Sequence, residues 1–95
     1  RMVELANMAI AVSRAEDRLL EEYDLASRFL KARGKQFREA LQQARAHTDE
    51  TLAAVERQLQ RLQDYSLPEE FEQRVAVIGA SRTQLAGLRQ QLDAV

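Results

Sequence analysis

Cysteine is absent from these 95 residues, which removes disulfides, thiol nucleophiles and Cys-based zinc sites from consideration. Glycine occurs three times, proline once and tryptophan never, so places where the chain turns sharply are few. No apolar run reaches the roughly eighteen residues that a membrane span needs, and no signal peptide is visible. Nor is there an excess of either charge. Fourteen basic residues against fifteen acidic ones give a formal charge of −1, which does not provide the phosphate-attracting surface of a nucleic-acid binder. What remains is rich in Ala, Leu, Glu, Gln and Arg, the residues that lose least on entering a helix, and an all-α fold is expected.

Periodicity divides this composition into three segments. In the central one, Phe37, Leu41, Ala44, Thr48, Leu52, Val55, Leu59 and Leu62 recur at gaps of three and four, a single stripe along a helix. Before it, Leu5, Met8, Val12, Ala15, Leu19, Tyr23, Ala26, Phe29 and Leu30 form a second stripe. After it, Phe71, Val75, Ile78, Arg82, Leu85, Leu88, Leu92 and Val95 form a third, interrupted by Gly79 and Gly87. Gly34 is the natural stop for the first helix because left-handed backbone angles cost it nothing sterically. Ser66 and Glu69 have the spacing of a capping box, with Pro68 pre-setting φ for the first turn of the third helix.

Connections this short force neighbouring helices to run antiparallel. The expected architecture is therefore an up-down bundle of three long helices, about 3–32, 36–64 and 68–94, in a single helical domain or domain fragment. Each stripe is long for so small a core, so a dimer partner or further sequence of a parent protein is expected to complete the bundle. The chain begins with Arg1 and reads as a piece of a longer protein.

Little in the sequence supports catalysis. His47 is the only histidine and has no second histidine four residues away, so no paired metal ligands arise within one copy, and it is expected on a solvated helix surface. Glu21, Glu22 and Asp24, like Glu69 and Glu70, are adjacent carboxylates without a His partner or a glycine-rich phosphate loop, as expected of solvated or helix-start charges. No enzyme activity, metal or cofactor is expected. Counting outward from the two turns places Glu22, Thr48 and Arg82 at one level of the bundle, each at or within an apolar stripe. Such a polar layer could hold a small ligand; alternatively Glu22 and Arg82 pair or reach water past their apolar stems, and Thr48 bonds back to its own helix.

The run Lys35 to Leu59, KQFREALQQARAHTDETLAAVERQL, resembles the bacterial nitrate- and nitrite-sensing domain, with Phe37, Arg45, Thr48, Asp49 and Leu52 matching its pattern. Glu21 to Leu30, EEYDLASRFL, is similar to an earlier segment of that family, and LRQQLDAV to a later helix. Tyr23 stands where the family segment has arginine and Asp24 where it has glycine, leaving Arg28, Arg45 and Arg82 as candidates for holding an anion. The resemblance implies an extracytoplasmic, periplasmic sensor domain of a membrane signalling protein such as a chemoreceptor, histidine kinase or cyclase, with membrane spans in the parent. Its expected ligand is small and anionic or polar, bound near Glu22, Tyr23, Thr48 and Arg82, and a homodimer is expected. The other reading is a structural or protein-interaction bundle without a small ligand.

Overall fold

The first apolar stripe winds into α1, Met2–Lys31; the second into α2, Arg38–Arg61; and the third into α3, Glu69–Asp93, in a computed structural model that describes residues 2–95. The described residues contain no strand, and the all-α expectation holds. α2 runs against α1 and α3 runs against α2, since descending positions on α2 meet ascending ones on α3: Glu56 with Arg82, Asp49 with Arg89, and Arg45 with Asp93. α1 is the shared element. The α2 backbone lies close along it and that of α3 approaches it at fewer points, while α2 and α3 meet chiefly through long side chains.

The turn between α1 and α2 explains how the first helix stops. Arg33 (φ 54°) is the left-handed residue, its N–H bonds to Leu30 O at 2.9 Å, and the Gly34 N–H bonds to Phe29 O at 3.0 Å. That pair of bonds satisfies carbonyls the helix end would otherwise leave open. Gly34 (φ 76°) is needed one position later than the left-handed cap residue, and for a further reason: a Cβ there would lie 2.9 Å from Val95 Cγ1 and 3.4 Å from Phe29 Cζ. Phe37, expected to open the second stripe, instead takes φ 70° as the residue preceding α2 and is substantially exposed. The capping box also fails to form. Pro68 is the N-cap of α3, with no side-chain cap bond, and its carbonyl accepts from Phe71 and Glu72; Glu69 is therefore already helical and too close to reach back.

Between α2 and α3 the chain makes a turn and then passes through Ser66, Leu67 and Pro68 without regular structure, Pro68 itself at φ −53°, ψ 143°. Leu67 packs on the core as it passes. The buried apolar residues fall into two clusters. The larger holds Met8, Ala11, Val12, Ala15, Leu19, Leu52, Val55, Leu62, Ile78 and Leu85; the smaller holds Ala26, Phe29, Leu41 and Leu92. Between the clusters lies a polar level.

Candidate polar site

Glu22 and Thr48 are both fully buried where the two apolar clusters part. Thr48 is on the α2 stripe, and its hydroxyl donates to Ala44 O at 2.9 Å and approaches Arg18 O at 3.3 Å. It thus occupies a core position by bonding back to its own helix. Glu22 has no such local partner. Its carboxylate is met side-on by the guanidinium of Arg89, with Nε donating to Oε2 at 2.8 Å and Nη2 to Oε1 at 2.8 Å. This forked arrangement matches both planar groups and is the strong form of an ion pair.

Arg89 is the residue that sequence reasoning missed. Arg82, placed at this level by counting from the turn, is exposed on α3 and pairs instead with Glu56 of α2. Arg82 and Arg89 are seven residues apart and share a helical phase, each four residues after a buried residue, Ile78 and Leu85. Periodicity cannot choose between them. Register does: the pairings Glu56–Arg82, Asp49–Arg89 and Arg45–Asp93 set α3 two turns, about 10 Å, further along α2 than a turn centred near residue 65 would. α1 and α3 run parallel and are tied at two further points: the Arg74 guanidinium spans both oxygens of Glu16, at 3.1 and 2.5 Å, and Tyr23 Oη donates to Ser81 O at 3.1 Å.

A network continues outward from the Glu22–Arg89 pair. Arg89 Nη1 bonds Asp49 Oδ1 at 3.0 Å, and Arg45 Nη1 bonds Asp93 Oδ1 at 2.9 Å. The arginines also reach each other's helices: Arg89 Nη2 lies 3.4 Å from Arg45 O, and Arg45 Nη2 lies 3.5 Å from Arg89 O. Both arginine side chains are largely covered, at 22 and 23 % exposure, whereas Asp49 and Asp93 are 61 and 66 % exposed. The Arg45 Nε is buried and has no acceptor. Beside it, a cavity of about 30 Å³ is lined by Phe29, Arg38, Leu41, Gln42, Leu92 and Asp93 as well as Arg45 itself.

The charges follow from this geometry. Hydrogen bonding to Glu22 outweighs the cost of burial and, with Asp49, holds Arg89 more firmly protonated than an ordinary arginine. Tyr23, half-buried beside Glu22, has its hydroxyl pKa raised, first by burial and then by the neighbouring carboxylate. Of the expected site residues, Glu22 and Thr48 share one level, Tyr23 flanks it, and Arg82 does not belong to it. Arg28 is at the surface with Asp24, at 3.2 Å. His47 is exposed on α2, along a groove between α1 and α2. No group of three or more His, Asp or Glu suited to a metal occurs among the described residues, and no described helix is long and apolar enough to cross a membrane. No family model, curated protein or solved structure matches the chain.

Proposed function

We propose that this chain is a ligand-sensing helical module of a bacterial transmembrane signalling protein, situated outside the cytoplasm, with a small anion as its ligand. The observation that carries the reading is the pair Arg45 and Arg89: two largely covered guanidiniums, one with a buried N–H lacking an acceptor, whose outer partners are the exposed carboxylates of Asp49 and Asp93. Exposed carboxylates are exchangeable acceptors. A planar oxyanion or small carboxylate that displaced them would bridge α2 and α3, while Glu22 retained its own bond to Arg89.

α3 is the element that such a ligand would move. It buries only Ile78, Leu85 and Leu92 and is tied to the other helices largely through arginines. A ligand with different affinities for two positions of α3 shifts their populations, and a helix displacement of that kind is what membrane signalling proteins transmit. The resemblance of Lys35 to Leu59 to the nitrate- and nitrite-sensing domain supports the same reading, with Asp49 and Arg45 among the matched residues. The replacement of that family's arginine by Tyr23 moves the anion-binding role onto Arg45 and Arg89. A homodimer and membrane spans in the parent protein belong to this proposal.

A thermal-shift screen of nitrate, nitrite, small carboxylates, amino acids and purines tests it. A ligand at about a hundred times its Kd contributes roughly 2.7 kcal/mol, a rise of roughly 10 °C or more in a domain of this size. Arg45→Ala should abolish that rise without disturbing Glu22, and Arg82→Ala should leave it intact. Absence of a shift with every anion would leave the second reading, a structural or protein-interaction bundle. The observation favouring that reading is the closure of the polar layer itself, since both oxygens of Glu22 are already taken by Arg89.

A further inference from the structure

Charge is not spread evenly along the rod. From Leu25 to Arg38, the end of α1 and the α1–α2 turn, the chain carries Arg28, Lys31, Arg33, Lys35 and Arg38 and no acid. Of the acids nearby, Asp24 is bonded to Arg28 and Asp93 to Arg45, while Glu39 lies in the first turn of α2. Lys31, Arg33, Lys35 and Arg38 have no carboxylate at ion-pair distance among the described residues. Arg38 lies over the Phe29 ring instead, 5.3 Å from its centroid. The opposite end is acidic: Asp64, Glu69, Glu70 and Glu72 follow Arg61 around the α2–α3 connection. A molecule 47 Å long with unpaired cations at one end and acids at the other is drawn end-on to an anionic surface.

The basic end also exposes apolar side chains. Leu30, Phe37 and Val95 are 44, 39 and 52 % exposed, and Val95 reaches the turn, beside Gly34. Phe37 holds a left-handed backbone, φ 70°, that a bulky residue adopts only under strain. It also precedes α2 without a side-chain cap bond, where Asn would serve folding better. The fold itself therefore gives no reason for an aromatic ring there. Size and chemistry decide what meets it. An end 19 × 17 Å across falls well short of the roughly 800 Å² per partner of a stable protein interface. Nucleic acid would use the cations, but Leu30 and Val95 offer its bases nothing to stack on. A lipid surface uses both kinds of residue, the basic ones at its headgroups and a few apolar ones at the acyl boundary.

We infer that the α1–α2 turn is a membrane-contact tip: Leu30, Phe37 and Val95 enter the headgroup region of an anionic bilayer while Lys31, Arg33, Lys35 and Arg38 meet its phosphates. The contact is peripheral, made by a turn and not by a spanning helix, and it stands the bundle on end with the α2–α3 connection pointing away. α3 finishes at the same tip, beside Gly34, so the helix that the proposed ligand would move ends at the bilayer. The contact does not rest on that ligand. Substitutions at Lys31, Lys35 and Phe37 leave Arg45 and Arg89 in place, so loss of lipid binding and loss of anion binding are separate results.

Co-sedimentation of the chain with vesicles tests the inference, using phosphatidylcholine alone and phosphatidylcholine with about 40 mol % phosphatidylglycerol. The expected result is binding to the anionic vesicles only, weakening as salt rises from about 50 to about 500 mM. A basic residue near such a surface strengthens binding about fivefold, so Lys31→Gln with Lys35→Gln should weaken it roughly 25-fold. Phe37→Asn separates folding from lipid contact: Asn accepts a left-handed backbone and caps a helix, so the melting temperature should hold or rise while vesicle binding falls. The chain has no tryptophan, so Phe37→Trp supplies a single reporter whose emission should shift to the blue on anionic vesicles. Val77→Trp, exposed midway along α3, should not shift. No binding to anionic vesicles, Phe37→Asn bound as tightly as the unsubstituted chain, a blue shift at Val77→Trp instead of Phe37→Trp, or duplex DNA bound as tightly as the vesicles would each overturn it.

Discussion

A fully buried carboxylate has to be neutralised or to give up its charge, and for Glu22 the neutralising group is a single guanidinium from the far helix. Removing that partner leaves the charge stranded: Arg89→Ala should cost about 3–5 kcal/mol in denaturant unfolding, the range for breaking a buried pair. Arg82→Ala, which removes an exposed pair with Glu56, should cost less than about 1 kcal/mol. If the two variants lost equal stability, the assignment of Arg89 as the partner would be wrong. Replacing Glu22 and Arg89 together with Leu or Met should recover most of the loss, since a well-packed apolar pair carries no desolvation penalty. Tyr23 sets a pH dependence. Its hydroxyl pKa is higher in the folded chain than in the unfolded one, so its contribution is fully present below the ordinary tyrosine value of 10.0 and is lost as pH rises through the folded value. Tyr23→Phe should flatten that alkaline decline, and at neutral pH should cost about 1 kcal/mol for the lost bond to Ser81 O. An unchanged alkaline limb in urea titrations would refute it.

At the scale of elements, the glycines separate by what surrounds them. Gly34 combines a left-handed φ with a crowded Cβ position, and Gly34→Ala should destabilise by more than about 1 kcal/mol. Gly79 lies mid-helix with open space around it, and Gly79→Ala should stabilise by roughly 0.5–1 kcal/mol through helix propensity alone. Melting curves that moved the same way for both would contradict this separation. The polar level also explains why α3 needs a defined register. Leu85 and Leu92 belong to different apolar clusters on either side of Arg89; sliding α3 by two turns would carry Arg82 toward the Glu22 level with Ile78 and Leu85 taking the places of Leu85 and Leu92, so the apolar stripe stays in phase and the polar pairs are what tell the two registers apart. A buried ion pair that specifies register in this way has precedents in helical assemblies.

For the whole molecule, the helices are unequal. α1 buries residues from Met8 to Phe29 and packs closely on α2, whereas α3 buries three leucine or isoleucine side chains. Native-state hydrogen exchange should therefore show α3 opening with the smallest free energy while α1 and α2 remain protected, because local stability follows buried apolar packing. Uniform protection across all three helices would count against α3 as the mobile element. The shape, 47 × 19 × 17 Å, leaves one flank of every helix at the surface.

The sequence by itself determined the helical class, the three segments and most of the core, because a stripe at three- and four-residue gaps buries one face whatever it packs against. Glu22 and Thr48 were legible as polar residues in core positions by the same logic. Their partner was not. Arg82 and Arg89 share a phase, and only the register of α3 against α2, seen in the pairs Asp49–Arg89 and Arg45–Asp93, decides which one meets Glu22. Phe37 was misplaced for a related reason: its spacing fits the α2 stripe, but the turn that ends α1 hands the chain to α2 through a left-handed residue whose side chain faces outward. Local periodicity reports which side of a helix is buried. How far one helix slides along another is set by the connection and by long-range pairing, and those are properties of the tertiary structure.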